Sequence, residues 1–171
     1  MSADIDSAPS PASIASRLAA LLYDLLIALA LLLVVGLLAQ LATHARLVTM
    51  RGGHAQVPLA YQGLQLAVLA AYFVLSWWRG GQSIGARAWR LRVFATQGGG
   101  ALHLARALLR ALCAALPLLA LLLGYWAPPR TAVLAVAALW LIDYAAMPFD
   151  RMRRTLHDRL SGTCLRRLPV P

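Results

Sequence analysis

Two aspartates interrupt long aliphatic stretches of this sequence: Asp24 inside LAALLYDLLIALALLLVVGLLA, and Asp143 inside AVLAVAALWLIDYAA. A carboxylate in hydrocarbon is penalised by about 2.5–3.5 kcal/mol on insertion scales, so it faces a bundle interior or water and takes a partner. Two such groups close together would push one pKa toward neutrality, the chemistry of a hydrated site that binds a proton or cation and exchanges it between the two sides. The competing reading is structural, with Asp–Arg contacts that fix helix register and satisfy each other. Arg17 lies two helical turns before Asp24, on nearly the same face, which leaves Asp24 about 10 Å deeper and the two too far apart to pair well directly. The expected partners of Asp24 are therefore Asp143, or Arg110 or Arg106. The last two recur with His103 at i, i+3 and i+7, along one stripe of a helix entering the membrane.

Other chemistry finds little support. His157 and Asp158 stand side by side near Ser161, but adjacent helical residues point in different directions, and there is no GxSxG elbow. The segment GQSIGAR lacks the GK[ST] ending of a phosphate loop and a preceding strand. Cys113 and Cys164 form no CxxC, and His44, His54, His103 and His157 are dispersed without metal-ligand spacing. The expectation is a protein that is not an enzyme, with no catalytic residues, no metal and no cofactor.

The elements that must position these residues follow from composition. Of 171 residues, 61% are apolar and 13% charged, where a soluble domain carries about 25% charged. A soluble chain of this size has too little core to hide so much aliphatic surface, so the bilayer is its solvent. Spans are expected at about 18–42, 59–78, 108–126 and 131–147, each near the twenty or so residues that cross the hydrocarbon. Trp77 and Trp78 close the second at interface level, and Pro128-Pro129 separates the third from the fourth. Residues 1–13, which lack the positive start of a signal peptide, are expected to be a disordered cytoplasmic tail, and 14–168 one transmembrane domain.

All sixteen positive charges are Arg and all six negative ones Asp, for a net charge of +10. Such a charge can mark nucleic-acid binding, but here the arginines lie between hydrophobic runs, where orientation in the membrane explains them and no nucleic-acid partner is expected. Arg17, then Arg79, Arg87, Arg90, Arg92 and Arg106, then Arg151, Arg153, Arg154, Arg159, Arg166 and Arg167 fall on one side of a four-span layout, against Arg46, Arg51 and Arg130 on the other. The positive-inside rule then makes this a multi-pass protein of the cell inner membrane with both termini cytoplasmic.

The basic connections have structure of their own. Ser83 can cap a short helix, after which Trp89 to Phe94 alternates with the period of a strand. Ser83 to Val93 is echoed by Thr155 to Leu165, with hydroxyl, aliphatic residue and arginine (Arg87 and Arg159) in register. Coincidence and a duplication of two helix pairs both account for this. If it is a duplication, it gives parallel repeats about an axis along the membrane normal and allows Arg90–Phe94 and Thr163–Leu168 to pair as a small two-strand ribbon. The fold class is thus an all-α membrane protein of four transmembrane helices, with short cytoplasmic amphipathic helices and that ribbon.

Arg17-Leu18-Ala19-Ala20-Leu21-Leu22-Tyr23-Asp24, then Gly81-Gln82-Ser83-Ile84-Gly85 with Leu91-Arg92-Val93, then Thr155-Leu156-His157-Asp158-Arg159-Leu160-Ser161-Gly162-Thr163, together resemble the RDD family of bacterial membrane proteins, over nearly the whole chain after the tail. By that resemblance Arg17 is the family's arginine, Asp24 its first aspartate and Asp158 its second. The usual GQTxGK becomes GQSIGAR, with Ala86 in place of the basic residue and Arg87 beside it. The resemblance implies a function largely undefined, with transport of unspecified ligands proposed and some members linked to sodium/proton exchange. Four spans make a thin bundle for a carrier, which would need a homo-oligomer. The alternative is a non-catalytic scaffold or assembly factor for a partner membrane protein.

Overall fold

The computed structural model describes residues 9–44, 46–51, 54–97 and 100–169. Helix α1 (Ile14–Ala42) starts where Ser13 accepts a hydrogen bond from the Ser16 amide, 3.2 Å, and runs for 29 residues. At 1.5 Å per residue it is longer than the roughly 30 Å of hydrocarbon. Helix α2 (Leu59–Gly80) ends on Gly81 in the left-handed conformation, whose amide donates to the Trp77 carbonyl. The third span begins as helix α4 (Leu104–Ala115) and continues as a 3₁₀ segment, Leu116–Tyr125. Pro117 stands at that junction and has no N–H to continue the α-helical ladder. The tighter coil rises about 2.0 Å per residue, which stretches a short apolar segment across the bilayer. Helix α5 (Pro129–Ala145) opens with Pro129 in the first turn, where its missing N–H costs nothing, and is followed by a 3₁₀ turn at Met147–Phe149. Among the described residues four helices are thus long and apolar enough to cross a membrane. Their outward leucines, such as Leu33 and Leu134, are exposed for lipid to cover.

Two five-residue helices, α3 (Ile84–Ala88) and α6 (Leu156–Leu160), and a small antiparallel sheet close one end of the bundle. The expected ribbon is present, with β4 (Leu91–Ala95) against β5 (Thr163–Arg167), but it is one strand wider. Strand β1 (Ser10–Pro11) pairs with the other edge of β5, and Ala12 is fully buried. The tail expected to be disordered through residue 13 therefore joins the fold from Ser10 on, because the edge of β5 offers unpaired backbone groups and Pro11 is tolerated on an edge strand. Residues 1–8 of that tail lie outside the described residues. A second hairpin, β2 (Thr49–Arg51) with β3 (His54–Gln56), joins α1 to α2. The Gly52-Gly53 dipeptide in the sequence between the two strands is the signal for it, absent from the expectations above.

The buried apolar cluster of the protein lies at the capped end of the bundle. Ala12, Ala20, Val74, Ala86, Leu91, Val93, Leu102, Ala107 and Leu165 form one buried cluster there. It joins α1, α2 and α4 to α3 and the inner face of the sheet. The N-terminal strand, the connection between the second and third spans, and the C-terminal strand all meet at this end.

Candidate functional site

Asp24 projects from the third turn of α1 onto the start of α3 and is 5% exposed. Its carboxylate accepts hydrogen bonds from the Ser83 hydroxyl (2.5 Å), the Gly85 amide (2.9 Å) and the Tyr72 hydroxyl (2.7 Å). Tyr72 in turn accepts from the Ile84 amide. Of the amides that would be orphaned at the start of α3, that of Gly85 is thus satisfied by a membrane carboxylate, that of Ile84 by the Tyr72 hydroxyl and that of Ala86 by the Ser83 hydroxyl. Gly85 makes this approach possible, since a Cβ there would collide with the Ala20 carbonyl and lie 2.8 Å from the Asp24 carboxyl carbon.

This corrects the expected neighbours of Asp24. Neither Arg106, Arg110 nor Asp143 meets it; neutral donors from α2 and α3 do. Asp24 and Asp143 do not share one hydrated site, because each is drawn to the start of a different short helix. Arg106 is half-buried on α4 beside Ala95 and Gln97, away from both.

Arg17 and Arg110 converge instead on Asp158, in α6. Arg17 Nη1 donates to Asp158 Oδ2 at 2.7 Å, and Arg110 Nη1 donates to Oδ1. Arg110 also donates to the Thr163 hydroxyl (2.6 Å), Arg17 Nη2 to the Arg153 carbonyl (2.9 Å), and the Arg110 guanidinium lies 4.9 Å over the Trp77 ring. Asp158 is fully buried and the two arginines are 4% exposed. Burial alone would raise the Asp158 pKa, but the charges of Arg110 and Arg17, then His157, outweigh it and hold the carboxyl well below the ordinary range. Asp158 also closes a capping box with Thr155 at the start of α6. The Arg153 carbonyl is aimed by a tight turn in which Arg154 clamps Asp150 through two nitrogens, 2.9 and 3.0 Å. That clamp lowers the Asp150 pKa to about 2.

Asp143, near the end of α5, takes the His157 amide on Oδ1 (2.8 Å) and the His157 Nδ1 on Oδ2 (2.6 Å). On the other edge of the ring, Nε2 faces Arg110 Nη2 at 3.4 Å and Asp158 Oδ1 at 3.6 Å. A guanidinium can only donate and a carboxylate can only accept, so a neutral ring here carries its hydrogen on Nδ1. The imidazole thus links an intramembrane carboxylate to the buried Arg–Asp–Arg cluster.

The remaining motif residues shape the backbone. Gly81, at φ 68°, accepts from the Val93 amide through its carbonyl, and Gln82 donates to the Leu91 carbonyl (2.8 Å). Gly162, at φ 62°, accepts from the amide and hydroxyl of Thr96. Arg159 and Arg87 are exposed.

The echo between the two cap segments is a structural repeat. Each position in the second lies 72 residues after its counterpart: caps Ser83 and Thr155, helices 84–88 and 156–160, strands 91–95 and 163–167. The left-handed residues also coincide, Gly81 with Arg153 and Arg90 with Gly162. The ladder maps onto itself, with Val93 opposite Leu165 at its centre. This is a pseudo-two-fold relation between two segments of one short helix and one strand, the first following spans α1 and α2 and the second spans α4 and α5. Tyr72 and Asp143 occupy comparable places, each on the span just before its segment and reaching the start of its own short helix. Tyr72 carries no sequence signal beyond a hydroxyl in an apolar helix that needs a partner.

Among the described residues no group of His, Cys and Asp is arranged to hold a metal ion. A sequence model of the RDD family matches residues 11–162. No curated protein and no solved structure matches the chain.

Proposed function

We propose, for a chain that belongs to the RDD family, a non-catalytic role in the cell inner membrane in which the Asp143–His157 pair is the proton-binding element of cation/proton-coupled transport. The observation that carries this reading is the 2.6 Å contact between a carboxylate on a membrane helix and an imidazole, the side chain suited to exchanging protons near neutral pH. The other two buried carboxylates are engaged by fixed donors on several sides, whereas both members of this pair keep some accessible surface, 13% and 10% of their side chains. A proton added at Nε2 turns an acceptor facing Arg110 into a cationic donor facing Asp158. Proton binding would thereby exchange the ring's contact with Arg110 of α4 for one with Asp158 of α6, and bring a second cation to the carboxylate that holds Arg110. The arginine distribution supports a cytoplasmic cap with both termini inside, and a bundle of four spans supports transport by an assembly of copies.

A second reading has its own support. Asp24 and Asp158 act as locks between spans and cap, which favours a scaffold or assembly factor for a partner membrane protein. Proton and sodium flux in proteoliposomes separates the two. The expected result is flux that falls at least tenfold in His157→Gln and Asp143→Asn and survives in folded Asp24→Asn. No flux in the wild type, under conditions where a known exchanger works, favours the scaffold.

A further inference from the structure

The alternation that buries Leu91, Val93 and Leu165 turns Arg92, Phe94 and Arg166 to the other face of the sheet. There Arg92 and Arg166 are direct cross-strand partners. Like charges placed opposite each other destabilise a sheet, and a carboxylate nearby would be the ordinary remedy. None of the four described aspartates serves: Asp24 is held by Ser83, Tyr72 and Gly85, Asp143 by His157, Asp150 by Arg154, and Asp158 by Arg17 and Arg110. Arg92 lies 5.6 Å over the Phe94 ring, a contact that stabilises its guanidinium without neutralising it. Beside Arg166 the sheet carries an open pocket of about 180 Å³, lined also by Pro9, Phe94, Thr96 and Cys164.

We propose that this outward face binds a phosphate-bearing anion, with Arg92 and Arg166 supplying the charge and the pocket beside Arg166 seating the phosphate group. Planar guanidinium groups match phosphate oxygens with paired N–H donors. An open pocket of this volume admits one phosphate group with part of its hydration. The positive pair costs stability when the site is empty and gains it when an anion is bound, which is the balance expected of a ligand site. The same chemistry is offered by a free phosphate compound and by the headgroup of an anionic lipid.

The test is thermal unfolding of the full-length protein in an uncharged detergent, with inorganic phosphate titrated against chloride at constant ionic strength. A parallel series compares a short-chain phosphatidylglycerol with phosphatidylcholine. The expected result is a saturable rise in Tm for the wild type and for Arg130→Gln, which lies far along the chain at the start of α5. The apparent affinity should fall at least tenfold in Arg166→Gln and Arg92→Gln, and both variants should be at least as stable as wild type without anion, because the repulsion is relieved. A rise with inorganic phosphate assigns a free ligand, and a rise with phosphatidylglycerol alone assigns the headgroup. No rise in either series, or a rise that persists in the Arg92→Gln/Arg166→Gln double variant, overturns the proposal.

Discussion

The two halves of the protein use one backbone plan to fasten a short helix to the membrane spans, and they distribute charge over it in opposite ways. In the first half the carboxylate, Asp24, stands on a span, and the donors are the hydroxyls of Ser83 and Tyr72 and the Gly85 amide. In the second, the carboxylate, Asp158, stands on the short helix and two arginines come from spans α1 and α4. The position equivalent to Asp158 in the first half is Ala86, and the one equivalent to Gly85 in the second is His157. The pseudo-symmetry therefore fixes geometry and leaves chemistry free. One half became a closely packed joint between a carboxylate and uncharged donors, and the other a joint of paired charges that includes an imidazole.

This comparison can be broken at its strongest point first. Asp158→Asn would leave Arg17 and Arg110 buried without a counter-charge, which costs about 3–5 kcal/mol, measured as unfolding in detergent. A loss below about 1 kcal/mol would mean that the charged joint is not what holds the second half. The same contact has a pH signature. Because the Asp158 pKa is lowered on folding from the ordinary 3.8, its contribution is fully present above about pH 4 and shrinks as pH falls through the acid range. Tm measured against pH should show that acid-side slope in the wild type and a reduced slope in Asp158→Asn.

The next effect tests the close packing of the first half. Gly85→Ala should cost near the top of the about 1–3 kcal/mol range of overpacking, because the new methyl meets the Ala20 carbonyl and Asp24. His157→Ala, at the equivalent position, introduces no such collision. Equal tolerance of both changes, read from Tm and yield of folded protein, would erase the asymmetry. Asp24→Asn should be the mildest, about 1–2 kcal/mol, since the amide keeps one acceptor oxygen but turns an N–H₂ toward a donor. If it proved as damaging as Asp158→Asn, the first joint would be electrostatic after all.

How far the sequence reached can be judged from particular residues. The spans followed from apolar length, the end of the second from Trp77 and Trp78, and the break between the third and fourth from Pro128-Pro129, because these depend on local chain properties. The hydroxyl-capped helices and the β4–β5 ribbon were legible for the same reason, since a cap residue and a two-residue alternation are local signals. The 3₁₀ course of the third span was not read, although Pro117 was its cause.

What the sequence by itself determined is the solvent, the number of crossings, the family motifs and the residues that had to find partners. Which partner each one found was decided by tertiary structure. Asp24 and Arg110 were equally compatible with pairing on helical geometry alone. Only the folding of the cap against the spans brought Ser83 and Gly85 to Asp24, and carried Asp158 across 141 and 48 residues of chain to Arg17 and Arg110. A buried charge in a membrane must be satisfied, which sequence can assert. The identity of the group that satisfies it depends on contacts between distant segments, which local periodicity does not encode.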